Sequence, residues 1–225
     1  MSFIPSDPII LVVFCIFGAM MFFAETVFLK KTGPYKKWMA LLIALLSLGS
    51  ILTLSGIMKR YMIPLLPLFM FLTILLGVVY ARSSHAKKMS ELLPFSILIG
   101  FQLFRFPLEI ILHYWAEGGT IPSTMTWTGS NWDILAGIAA LVSIPLVNKF
   151  KIVAWSVQVF GFILLMNVFR VVVMSSPFPF SWPIDNPVQL GLHFPYVLII
   201  PLFVLPALVL HLVTFRKLFS EFKSV

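Results

Sequence analysis

Arg105 and Glu109 stand four residues apart inside an otherwise apolar stretch, Leu92 to Trp115. An ionisable side chain at membrane depth costs about 2.5 kcal/mol or more, so such a residue marks a functional site by default. With Gln102 and His113 the pair forms one polar stripe, because on an α-helix positions 102, 105, 109 and 113 fall within an arc of about 80°. A guanidinium in a low-dielectric pocket holds a phosphate, carboxylate or other anion through forked hydrogen bonds. Glu109 and His113 would supply a proton acceptor and a donor whose pKa values burial could separate.

A second polar group sits in the apolar segment Ile152 to Ser175, where Asn167 and Arg170 are three residues apart and share a helix face. His193 stands at the start of the last apolar segment. If these segments run side by side, Arg105, Glu109, His113, Asn167, Arg170 and His193 converge on one pocket in the outer half of a helix bundle. The expected roles are acid–base chemistry for Glu109 and His113, and ligand binding for Arg105, Asn167, Arg170 and His193. The competing reading is structural: Arg105 and Glu109 neutralise one another, while Asn167 and Arg170 bond backbone carbonyls freed by Pro107 or by the prolines of the last segment.

Metals and cofactors are weakly indicated. His113 and His193 read as outer and His85 and His211 as inner, a poor arrangement for two bis-histidine haems, and zinc would have only Glu109, His113 and His193 on offer. No metal site is assigned, and the sequence specifies no cofactor. Cys15 is the single cysteine, so neither an intramolecular disulfide nor a thiolate cluster is possible.

The elements that must position these residues follow from composition. At 60% hydrophobic residues and a mean hydropathy of +1.03, the chain is too apolar for a soluble domain of 225 residues. Apolar runs near the required length of about 20 residues occur at Pro8–Leu29, Trp38–Met58, Met62–Ala81, Leu92–Trp115, Trp132–Asn148, Ile152–Ser175 and Phe194–Phe215. The expectation is an all-α polytopic membrane bundle of seven transmembrane helices forming one domain over residues 1–225. The fifth helix is short, and Pro195, Pro201 and Pro206 interrupt the seventh.

Basic residues set the orientation, since cytoplasmic loops collect Lys and Arg. With the N-terminus outside and the C-terminus cytoplasmic, the inner face receives Lys30, Lys31, Lys36, Lys37, Arg82, Lys87, Lys88, Lys149, Lys151, Arg216, Lys217 and Lys223, and the outer face only Lys59 and Arg60. Glu25 falls at the inner boundary, within snorkelling distance of Lys30. The net charge of +8 is thereby explained by topology and anionic lipid, without a nucleic-acid partner. Two outer loops, Ala116–Asn131 and Ser176–His193, lack Lys and Arg and are rich in Pro, Gly, Trp, Ser and Thr. Loops of this length are either functional lids or interfacial straps. Ser130 followed by Asp133 reads as a capping box opening the fifth helix.

The stretches FRFPLEIILHYW and MTWTGSNWDILAG, within Phe104 to Gly137, resemble a group of uncharacterised bacterial integral membrane proteins, and SSPFPF and HFPYVLIIPLFVLP are similar as well. The resemblance implies a multi-pass protein of the bacterial cytoplasmic membrane and carries no activity. The expected function is binding of a small anionic or lipid-derived ligand in an outward-facing polar pocket, with acid–base catalysis if the protein is an enzyme. The alternatives are a small secondary transporter with Glu109 as proton-coupling carboxylate and a haem-binding or structural subunit. Oligomeric state is not legible.

Overall fold

A computed structural model describes residues 3–222 as an all-helical bundle, with no β-strand among them. Lys223, assigned above to the inner face, lies outside the described residues. The helices are α1 (Pro8–Thr32), α2 (Lys36–Leu54), the single turn α3 (Ile57–Arg60), α4 (Met62–Arg82), α5 (Ser84–Leu92), α6 (Phe95–Gly100), α7 (Arg105–Glu117), α8 (Ile134–Val147), α9 (Lys151–Ser175) and α10 (Leu205–Phe222). Sequence punctuation explains several boundaries. The Asp7 carboxylate accepts from the Ile9 amide at 2.8 Å, with Pro8 preset for the first helical turn. Gly56, at φ 74°, takes the left-handed conformation between α2 and α3. Ser83 Oγ accepts from the Ala86 amide to start α5.

Six helices are long and apolar enough to cross a membrane, where seven were expected: Pro8–Thr32, Lys36–Leu54, Met62–Arg82, Phe95–Glu117, Lys151–Ser175 and Tyr196–Glu221. The expected fifth span shrinks to α8, 14 residues long. Its shortness has a physical cause in the preceding loop. Asp133, just before α8, bonds to Arg105, which lies about 18 Å down α7 from Glu117 at 1.5 Å per residue. The segment 118–133 therefore descends into the bundle and fills the volume that the missing half of a full-length helix would have taken. Its backbone polar groups are satisfied on the way: the Thr120 amide donates to Trp115 O, and Ser130 and Asn131 amides donate to Thr124 O and Thr126 O. Thr124 Oγ1 and Ser175 Oγ, 2.7 Å apart, tie it to α9.

The last helix is the axis of the bundle. Its apolar window is 72% buried, against 22% for each of the first three spans. Those three instead present Ile9, Val12, Ile16, Met20, Phe23, Ile51, Leu54, Ile63, Phe71 and Leu75 to the surroundings, as lipid-facing helices do. Both loops and Phe3 sit at one end of the bundle, where Phe3 stacks on His193 and Asn186 Nδ2 donates to Gly119 O at 2.6 Å. The Lys-rich turns and the end of α10 sit at the other, with Lys217 Nζ donating to Ser90 O and Arg216 Nη1 to Ala81 O.

Two spans depart from α-geometry midway. A 3-10 segment, Phe101–Phe104, joins α6 to α7, and a π segment, Ile200–Val204, precedes α10. Gln102 Nε2, in the first, donates to Ala207 O in the first turn of α10 at 3.2 Å. Irregular turns inside helices are frequent at functional sites.

Candidate functional site

Arg105 is almost wholly buried, with only 1% of its surface exposed. Its guanidinium forms a two-pronged pair with Asp133, Nε donating to Oδ2 at 2.7 Å and Nη2 to Oδ1. Nη1 donates to Gly161 O at 3.1 Å and lies 3.2 Å from His211 Nε2. A guanidinium only donates, so His211 Nε2 must accept and the ring proton must sit on Nδ1, a buried nitrogen with no partner. Four of the five guanidinium N–H groups are thus engaged.

Glu109, one turn further along α7 and 2% exposed, does not pair with Arg105. Asn131 Nδ2 donates to its Oε1 at 2.7 Å and to Met125 O at 3.0 Å, while Oε2 is buried and has no partner among the described residues. Asn131 Oδ1 accepts from the Asp133 amide at 3.3 Å. The descending loop therefore supplies both contacts: Asp133 answers Arg105, and Asn131 orients Glu109.

Two glycines permit this geometry. A Cβ on Gly137 would fall 2.6 Å from the Phe106 amide nitrogen, so only glycine lets α8 approach α7 closely enough for Asp133 to reach the guanidinium. A Cβ on Gly161 would meet His211 Cε1 at 3.0 Å and Arg105 Nη1 at 3.6 Å.

These groups form one end of a cavity of about 1030 Å³, its open mouth included. The remaining wall is apolar, with Phe104, Leu108, Leu165, Val172, Phe203 and Ala207 among the lining residues. Phe178, Val188, Leu190 and Gly191, from the second long loop, contribute to the wall. That loop is held down by Trp182 N donating to Met174 O at 2.8 Å and Val188 N to Ser175 O at 2.7 Å.

The residues expected to meet in one pocket divide into separate groups. Arg105 and Glu109 line the cavity, and Asp133 and Asn131 join them. His113 lies 3.4 Å from Glu117 and stacks on Trp127 with ring centroids 4.3 Å apart, so it does not form an acid–base pair with Glu109. Asn167 Nδ2 donates to Ser130 O at 2.8 Å and braces the descending loop. Exposed Arg170 donates to Asn167 Oδ1 and lies over the Trp182 ring at 5.5 Å. His193 stacks on Phe3 at 3.8 Å, apart from the cavity.

Three further expectations are corrected. Arg105 is neutralised by Asp133 across the bundle, not by Glu109 along the helix. Asp133 occupies the N-cap position of α8 but makes no capping bond, because its carboxylate is committed to Arg105. His211, read as an inner residue, sits at mid-bundle beside the guanidinium, and Gln158 Nε2 donates to its carbonyl at 2.9 Å. Asp133, Asn131, His211 and Gly161 were missed as partners because a helix-face argument groups residues of one segment and is blind to a loop that re-enters. The available signal was scarcity: with eight acidic residues in the chain, a carboxylate at the mouth of an apolar run invites a buried partner. Among the described residues, no three His, Cys, Asp or Glu side chains converge as a metal-ligand set.

A family model described as a domain of unknown function (DUF8737) matches residues 62–219, a stretch that includes Arg105, Glu109, Asn131, Asp133 and His211. No curated protein and no solved structure matches the chain.

Proposed function

The chain belongs to that family of unknown function, and we propose from the chemistry of its cavity that it binds a lipid-derived molecule, with the ligand's polar head at Glu109 and its apolar body against Phe104, Leu165 and Phe203. One observation carries this reading: Glu109 lines the cavity, and its buried Oε2 has no hydrogen-bond partner among the described residues. Such an oxygen costs about 1–3 kcal/mol left alone and recovers it when a ligand group pairs with it. A hydroxyl or amide head suits the site better than an anion. Arg105 is matched by Asp133, Arg170 lies outside, and a second carboxyl group faces the same space. An acid–base step on the bound molecule would fall to Glu109 alone, since His113 is engaged elsewhere.

The setting we propose is the cytoplasmic membrane of a bacterium, with both long loops outside. Support comes from the concentration of Lys and Arg at the opposite end and from the resemblance to bacterial membrane proteins. A transport reading has its own support. A second cleft, lined by Glu25, Phe101 and Leu205, approaches from the Lys-rich end; the 3-10 segment contributes to both walls, through Phe101 and Phe104, and the π segment to the Glu109 cavity. Irregular helices meeting at mid-bundle are a recurrent transporter device.

The binding reading is tested with a monoacylglycerol added to the purified protein in nonionic detergent. Binding to the folded state raises stability by about 2.7 kcal/mol at one hundred times the dissociation constant. Wild type should show the corresponding rise in unfolding temperature, while Glu109→Leu, which removes the free oxygen, and Val172→Trp, which fills the cavity, should not. Equal shifts in all three proteins would remove the proposal.

A further inference from the structure

The cleft near the Lys-rich end holds a carboxyl group that the sequence pattern places at the boundary beside Lys30. The structure turns Glu25 inward instead: its Oε1 is buried, and among the described residues it has no hydrogen-bond partner and no cation pairs with the carboxyl group. The nearby ammonium groups are committed to rings at the rim, Lys30 Nζ at 5.5 Å from Tyr35 and Lys37 Nζ at 5.3 Å from Trp38. The space in front of Glu25 is an open cleft of about 620 Å³, its mouth included, and its walls are almost wholly apolar. Four are aromatic: Phe28, Trp38, Tyr80 and Phe101. Their rings are packed at fixed angles, Trp38 against Tyr80 at 4.8 Å and Phe28 against Phe101 at 4.8 Å, both edge to face. Tyr80 is held further by its hydroxyl, 3.1 Å from His85 Nδ1.

One carboxylate and several aromatic side chains around an apolar space are complementary to an organic cation too large and too weakly hydrated to prefer water. A carboxyl left alone in such surroundings is costly, and a bound cation removes that cost. We propose that the cleft between α1, α2, α4 and α10 binds a lipophilic organic cation, with Glu25 as counter-charge and Phe28, Trp38, Tyr80 and Phe101 as its aromatic cage. The site is separate from the Glu109 cavity and does not depend on what that cavity holds.

Equilibrium dialysis of the full chain in nonionic detergent against tetraphenylphosphonium, a permanent cation without exchangeable protons, tests this. Wild type binds one equivalent saturably, Glu25→Gln binds at least tenfold more weakly, and Glu25→Asp falls between. Leu76→Trp, which narrows the cleft without touching the carboxyl, also loses binding, so the proposal stays testable if Glu25→Gln fails to fold. Glu117→Gln, which removes a carboxyl at the other end of the bundle, binds as wild type does. The uncharged analogue triphenylphosphine oxide binds far more weakly than the cation. Overturning results are equal affinity in Glu25→Gln and wild type, equal affinity for cation and uncharged analogue, or no saturable binding.

Discussion

Removing Asp133 should destabilise the protein much more than removing Asp133 and Arg105 together. In Asp133→Asn the guanidinium keeps its bonds to Gly161 O and His211 Nε2 but loses its counter-charge in a site where it is 1% exposed. Breaking a buried pair by removing one partner costs about 3–5 kcal/mol, chiefly because the other charge is left uncompensated. For chains of this size about 2–4 °C of unfolding temperature accompany each kcal/mol, so the single variant should unfold roughly 6–20 °C lower. The double variant Arg105→Met, Asp133→Leu removes both charges at similar volume and should recover most of that loss, since apolar replacements of whole buried pairs are often close to neutral. Scanning fluorimetry of wild type, Asp133→Asn, Arg105→Met and the double variant in one detergent provides the cycle. Additive losses, with the double variant the least stable of the four, would refute the claim that this pair joins α7 to the start of α8.

Gly137→Ala should also lower the unfolding temperature, by an amount equivalent to about 1–3 kcal/mol, because its new Cβ would sit 2.6 Å from the Phe106 amide nitrogen and the two helices must part; a variant as stable as wild type would contradict that packing. His85 gives a pH dependence. Burial holds its imidazole below the usual value of 6.5, Lys88 adds to the effect, and the Leu29 carbonyl opposes it. In acid the unfolded chain takes up a proton that the folded ring resists, so stability is full above pH 6.5 and declines as pH falls through that value. His85→Gln, which can still donate to Leu29 O, should flatten the slope of unfolding temperature against pH between 7 and 5; an unchanged slope counts against the assignment. Asn131→Ala should free the second Glu109 oxygen and loosen the descending loop, read as faster deuterium uptake across residues 118–133 with little change in α9; unaltered uptake there would show that the Asn131 bonds do not hold the loop.

The membrane spans were legible because hydropathy over about 20 residues is a local property, and five of the seven expected runs sit in long helices with closely similar bounds. Tyr196–Glu221 was also foreseen as irregular, since three prolines cannot all be accommodated in an unbroken α-helix, and the π segment falls between Pro195 and Pro206. The fifth span was overcounted because hydropathy does not reveal where a helix starts in depth: Asp133 is pulled inward by Arg105, and α8 begins there. Arg105 and Glu109 were identifiable from the cost of burying charge, but their partners were not, because Asn131, Asp133 and His211 reach them from a loop and a helix distant in sequence. His113 and Arg170 were drawn into the expected pocket by helix-face spacing, which assigns a side and cannot say that Glu117, Trp127 or Trp182 will hold them elsewhere.

The buried second oxygen of Glu109 and the apolar chamber beside it together call for a bound molecule with a polar head and an apolar body. Native mass spectrometry of protein extracted gently from its own membrane, compared with Glu109→Leu and Val172→Trp prepared in parallel, addresses it directly. Wild type should carry one lipid-like molecule of defined mass that survives detergent stripping, and both variants should arrive without it. The same mass retained equally by all three, or its absence from each, would contradict the account.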